Sequence, residues 1–236
     1  MIAIFKHELR LYFHSLTAYV FGAFLLLIVG IGAMLYNLQA AVSNFEYVLS
    51  FSSMIFAVIV PILTMRVIAE ERKQKTDQLL YSLPISTTKI IVGKYLALLT
   101  VYAIPCGVIA FYPLILNMFG EVNLLGGYSC LLYFFLLGAS LIAVCQFLSS
   151  LTDNLVVAAV LGILGTLVLY VLPIPGYLLD GVPILSDLLV FLSPFVHFQN
   201  AGSYGLFSIP SVILLLSYTV FFVFLTVRSA DRKRWA

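Results

Sequence analysis

The chain has 236 residues, of which 63% are hydrophobic and 9% charged, with a mean hydropathy of +1.13 and a net charge of +2. A water-facing surface usually needs about 25% charged residues, so this composition excludes a soluble globule and makes lipid the solvent. The length then divides into stretches of roughly 20 apolar residues, the number a helix needs to cross the hydrocarbon core.

Residues 1–15 open with Ile2, Phe5, Leu9, Tyr12 or Phe13 and Leu16 at helical spacing, opposite Lys6, Arg10 and His14. That pattern predicts an amphipathic helix at the membrane surface; a ragged extension of the first span is the competing reading. The first span is expected over 17–36, and its apolar run is too long, and too poor in cleavage signals, for a signal peptide. The second is expected over 49–65, where Pro61 removes a backbone donor and favours a kink. The third, 90–118, carries Pro105 and Pro113, which break its regularity. The fourth spans 125–148, and a tight loop from Ser149 to Asn154 reverses the chain into the fifth, 155–172. The sixth spans 209–227. Between the last two, Pro173, Pro175, Gly176, Gly181, Pro183, Pro194 and Gly202 punctuate an apolar segment. Irregular backbone cannot face lipid at depth, so short half-helices near Tyr177–Asp180 and Ser186–Leu192 are expected to cap the outer face. The fold class is therefore all-α, one membrane domain over 1–236 with six transmembrane helices.

Orientation follows from the cations. Lys6 and Arg10 precede the first span; Arg66, Arg72, Lys73, Lys75, Lys89 and Lys94 lie between the second and third; Arg228, Arg232, Lys233 and Arg234 follow the sixth. These are all 12 Lys and Arg, and an even number of crossings places them on one side, expected to be cytoplasmic. Glu46, Glu121, Asp180 and Asp187 fall on the other. The three cysteines, Cys106, Cys130 and Cys145, lie in apolar runs without paired spacing and read as packing residues.

The informative stretch runs from Arg66 to Tyr95. It joins the charged run Glu70-Glu71-Arg72-Lys73-Gln74-Lys75 to an apolar patch, Leu79, Leu80 and Leu83, ended by Pro84. Thr76 and Asp77 suit a helix start, since a hydroxyl or carboxylate accepts from free backbone N–H groups, and Pro84 disfavours helix at Leu83. Two readings compete: a solvated loop that fixes topology and touches anionic lipid, and a docking element through which a soluble partner moves the second and third spans. Arg66, Ile68, Glu71, Arg72, Thr76, Leu79, Leu80, Ser82, Leu83, Pro84, Ile85, Ser86, Gly93 and Lys94 together resemble the hallmark of the ABC-2 permease family, with Lys75 where that family usually has glycine. The carboxyl end, with His197-Phe198, Gly205-Leu206-Phe207 and Phe224-Leu225-Thr226-Val227, is similar to permeases of the gliding-motility-associated branch. The resemblance implies two six-span subunits around a central path, with two soluble ATPases below. It implies too that Thr76–Leu83 sits in a cleft of the ATPase, with Glu70, Glu71 and Arg72 in polar contacts around it.

No nucleotide-binding signature is present: Gly93-Lys94 lacks the upstream glycine and the following Ser or Thr of a phosphate loop. ATP and Mg are therefore expected on a partner, and no catalytic residue or metal site is assigned. A membrane protease would need histidines at depth, and His7, His14 and His197 lie outside the spans. An ion-coupled carrier would need titratable groups there, and the central thirds of the spans hold none. A mechanical or scaffold role without cargo is the other alternative. If the second and fifth spans line a path, Phe51, Met54, Phe56, Val58, Thr166 and Tyr170 are its candidates, with ordinary packing as the competing reading. Such a path is apolar and suits export of a lipid, peptide or amphipathic molecule; no nucleic-acid partner is expected.

Overall fold

In the computed structural model the apolar runs are helices, because lipid offers nothing to backbone N–H and C=O groups and a helix satisfies them within one segment. The structure describes residues 2–40, 42, 44–73, 86–118, 122–178, 183–203 and 208–234. Among these, every regular element is helical: α1 (Ile2–His14), α2 (Thr17–Ala33), α3 (Phe45–Thr64), α4 (Arg66–Lys73), α5 (Thr87–Ile109), α6 (Tyr112–Asn117), α7 (Leu124–Ser149), α8 (Leu155–Val171), α9 (Pro173–Leu178), α10 (Pro183–Leu192), α11 (Pro194–Ser203) and α12 (Ile209–Arg234). A π-helical turn, Met34–Gln39, prolongs α2. Six stretches are long and apolar enough to cross a membrane: Thr17–Gln39, Phe45–Ala69, Thr87–Asn117, Leu124–Ser149, Leu155–Pro175 and Ile209–Arg232. The protein is an all-α, six-span bundle.

The prolines divide by position. Pro61 and Pro105 sit inside α3 and α5 without ending them. Pro113 stands in the first turn of α6, after a break at Ala110–Phe111, so the third span is interrupted there and not at Pro105. Pro173, Pro183 and Pro194 each begin a short helix, the position where a missing N–H costs nothing. Three short helices thus occupy the outer segment where two were expected, and His197 lies on α11 instead of in a loop, its Nε2 3.0 Å from the Phe191 carbonyl. Asp180 falls outside the described residues.

The spans are not equivalent. Within their apolar windows 61% of α3 and 67% of α7 is buried inside the subunit, against 17% of α8 and 22% of α12, so α3 and α7 form the centre. At mid-depth their meeting is aromatic. Phe56 of α3 packs on Tyr102 of α5 at 5.1 Å and on Phe134 of α7 at 5.2 Å between ring centroids. Tyr102 stacks on Phe135 at 5.5 Å and donates its hydroxyl to the Phe134 carbonyl at 2.8 Å, the polar handle a buried tyrosine needs. Gly138 makes room, since a Cβ there would lie 2.4 Å from the Tyr102 ring.

A second device joins α3 to α8. Pro61 has no N–H, so the carbonyl four residues earlier, that of Ala57, loses its helical donor. The Thr166 hydroxyl of α8 supplies one, at 2.7 Å from the Ala57 oxygen. Beside it the Pro61 ring fills the space over Gly162, where a Cβ would meet it at 2.8 Å.

Candidate functional site

The end of the bundle that carries the cations, called here the basic end, gathers α1, α4, the first turns of α2, α5 and α8 and the last turns of α7 and α12. Its helices are tied by side chains. Arg66, first residue of α4, donates to the Thr17 hydroxyl at the start of α2 (2.9 Å). Ser149 reaches the Met65 carbonyl (3.4 Å), and Ser150 donates to Ser229 of α12 (3.0 Å). Gln146 of α7 donates to the Ile91 carbonyl of α5 (3.3 Å), while its Oε1 is buried without a partner among the described residues.

At the centre of this lattice is an ion pair. Lys94 Nζ lies 3.0 Å from Glu8 Oε1, with only 2% and 9% of the two side chains exposed. The same ammonium donates to the Val67 carbonyl of α4 at 3.0 Å. Lysine normally runs its stem along apolar surface and keeps its head in water; here the head is turned inward and joins α1, α4 and α5. The pair revises the reading of one cation and adds to that of α1. Lys94 is not a solvated cation that merely fixes topology. And α1, alongside the exposed Ile2 and Leu11 that suit a membrane surface, turns Glu8 and Tyr12 into the protein. Gly93-Lys94, lying within helix α5, has no resemblance in geometry to a phosphate loop.

Of the residues expected to couple to a partner, Glu70, Glu71 and Arg72 fall in α4, a helix that continues directly from α3. Thr76, Asp77, Leu79, Leu80, Leu83 and Pro84 lie outside the described residues.

The expected path residues separate. Met54 is 57% exposed and Val58 37%, and with Ile62 they form an outward stripe on α3 at every fourth residue. Phe56 and Thr166 are fully buried: one belongs to the aromatic layer, and the other is the donor that Pro61 makes necessary. Phe51 is half-buried against Tyr36, and Tyr170 is half-buried edge-on to Phe195. Clefts among the described residues lie elsewhere. One of 830 Å³ is walled by Leu169, Phe191, Ile213 and Phe221; one of 560 Å³, between α5 and α12, has Arg228 and Asp231 among its lining. Cys106, Cys130 and Cys145 are free and buried.

No curated protein matches the chain. Residues 34–228 match the family model described as ABC-2 family transporter protein.

Proposed function

Because the chain belongs to the ABC-2 transporter family, whose membrane domains work with ABC ATPase partners, we propose that it is the permease of an exporter powered by ATPases on separate chains. Its membrane is the inner, or plasma, membrane, with both described ends and the segment after α3 on the cytoplasmic side. The observation that carries this reading is α4. It continues the second span, buries Val67, Ile68 and Ala69 in the bundle, carries a charged second half, and leads in sequence to the leucine-bearing segment that resembles a coupling helix.

The coupling reading assigns Leu79, Leu80 and Leu83 to an ATPase cleft, where each fully buried side chain contributes ~1.5–3 kcal/mol. Nucleotide-driven closure of the ATPases pushes on α4 and through it on α3. ATP and Mg belong to those partners. A second copy of this chain, or a related six-span protein, completes the path. The exposed stripe of Met54, Val58 and Ile62 is the part of the second span available to line it. Its apolar character favours a lipid, a peptide or an amphipathic cargo.

Co-purification tests the reading. The double variant Leu79→Asp, Leu83→Asp, expressed with the ATPase, should reach the membrane yet lose the ATPase and all ATP-dependent transport. Undiminished complex and transport would overturn it.

A further inference from the structure

We infer that Glu8 and Lys94 are positioning residues of the coupling machinery: through their buried ion pair, surface helix α1 and α4 move as one body. The inference rests on the coupling reading above and deepens it. α1 packs along α5 and α2, and Lys94, itself on α5, extends that contact to α4. Its ammonium has three donors and no acceptor; one N–H is set on the Glu8 carboxylate at 3.0 Å and another on the Val67 carbonyl at 3.0 Å. A second bond at the same corner, Arg66 to Thr17 at 2.9 Å, fixes the head of α4 to the start of α2, three residues after α1 ends.

Stability does not account for such a pair. Replacing a buried ion pair by apolar side chains is often neutral or better, because desolvation offsets the attraction, whereas removing one partner strands a charge. What the pair does supply is direction. Two charge-assisted bonds from one nitrogen hold α1 and α4 in one relative placement, so a push on α4 is delivered both to α5 and to the surface helix.

Nitroxide labels on the ATPase-bound complex in lipid nanodiscs test this. Labels replace Lys6 on α1, Lys73 on α4 and Arg232 on α12; the three native cysteines are at most 5% exposed and stay in place unlabelled. In the wild-type sequence the 73–232 distance should change between nucleotide-free and vanadate-trapped states while the 6–73 distance does not. In the neutral variant, Glu8→Gln with Lys94→Met, the 6–73 distance should become nucleotide-dependent, and permease-stimulated ATP hydrolysis should fall roughly tenfold with the complex still assembled. The reversed variant, Glu8→Lys with Lys94→Glu, should assemble and melt above Lys94→Met alone, because the two charges still pair, but stay uncoupled, since a carboxylate cannot donate to the Val67 carbonyl. A purely structural ion pair predicts that reversal restores both. Full coupling in the neutral or reversed variant, or a wild-type 6–73 distance that changes as much as 73–232, would overturn the inference alone. No nucleotide response in any label pair would overturn the coupling reading and this inference with it.

Discussion

At mid-depth the helices meet through rings: Phe56, Tyr102, Phe134 and Phe135 bring α3, α5 and α7 together, with Gly138 giving the space. At the basic end α5 and α7 meet each other and their neighbours α1, α2 and α4 through directed bonds, Lys94 to Glu8 and Val67, Arg66 to Thr17, Gln146 to Ile91 and Ser149 to Met65. The difference follows from what each region can exchange with its surroundings. In the bilayer centre an apolar surface gains little by leaving lipid for protein, so helices associate by close packing. Near the headgroups water competes for every polar group, and only bonds shielded from it hold a fixed geometry. The first region is dense and indifferent to small rotations of polar groups; the second fixes which helix end moves with which.

Four substitutions break or sharpen that contrast, and detergent melting of the purified protein reads all of them. Phe56→Ala should cost the most, ~3–5 kcal/mol, because the ring is fully buried and its removal leaves a cavity; a loss under about 1 kcal/mol would mean the aromatic layer is not what holds α3 to α7. Lys94→Met alone should cost roughly 3 kcal/mol by stranding the Glu8 carboxylate, and adding Glu8→Gln should recover most of it. Failure of the second change to rescue would show that the cost comes from the other contacts of Lys94 and not from the Glu8 charge. Gly138→Ala should cost ~1–3 kcal/mol through overpacking against Tyr102, and a smaller partner ring, Tyr102→Leu, should relieve it. Thr166→Val should have the smallest effect, about 1 kcal/mol or less, the size of one interhelical hydrogen bond in a membrane protein. It should vanish when Pro61→Ala restores the missing donor to the Ala57 carbonyl.

How much of this was legible in the sequence depends on what the residue types report. Hydropathy marks the six spans because crossing lipid demands an apolar run, and Pro173, Pro183 and Pro194 mark the short outer helices because a helix start is where a missing N–H costs nothing. Which face of a span points inward is another matter. Interior and lipid are equally apolar, so Phe56 inside and Met54 outside carry the same signal, and both stood as path candidates. Thr166 had a local clue that hydropathy ignores: a helix-interior proline frees a carbonyl and so calls for a hydroxyl nearby. The Glu8–Lys94 pair had one as well. Lys94 stands among Ile90, Ile91, Val92, Tyr95 and Leu96, and a cation inside such a run requires a counter-charge. Glu8 is in line with Tyr12, one helical turn away on the inward face of α1. The pairing itself is set by how α1 folds back on α5, which no local pattern specifies.

Thr166 has one more consequence. Its hydroxyl lies 2.7 Å from the Ala57 oxygen of the facing helix, and also 3.0 Å from the Gly162 and Ile163 oxygens of its own. If the second and fifth spans part, that hydroxyl keeps acceptors at home and only one carbonyl is left bare, a penalty of about 1–3 kcal/mol. Meanwhile the proline ring and the glycine hollow opposite it admit a single register on return. At this point the seam is held by one bond that is inexpensive to open and by a shape that admits one way of closing.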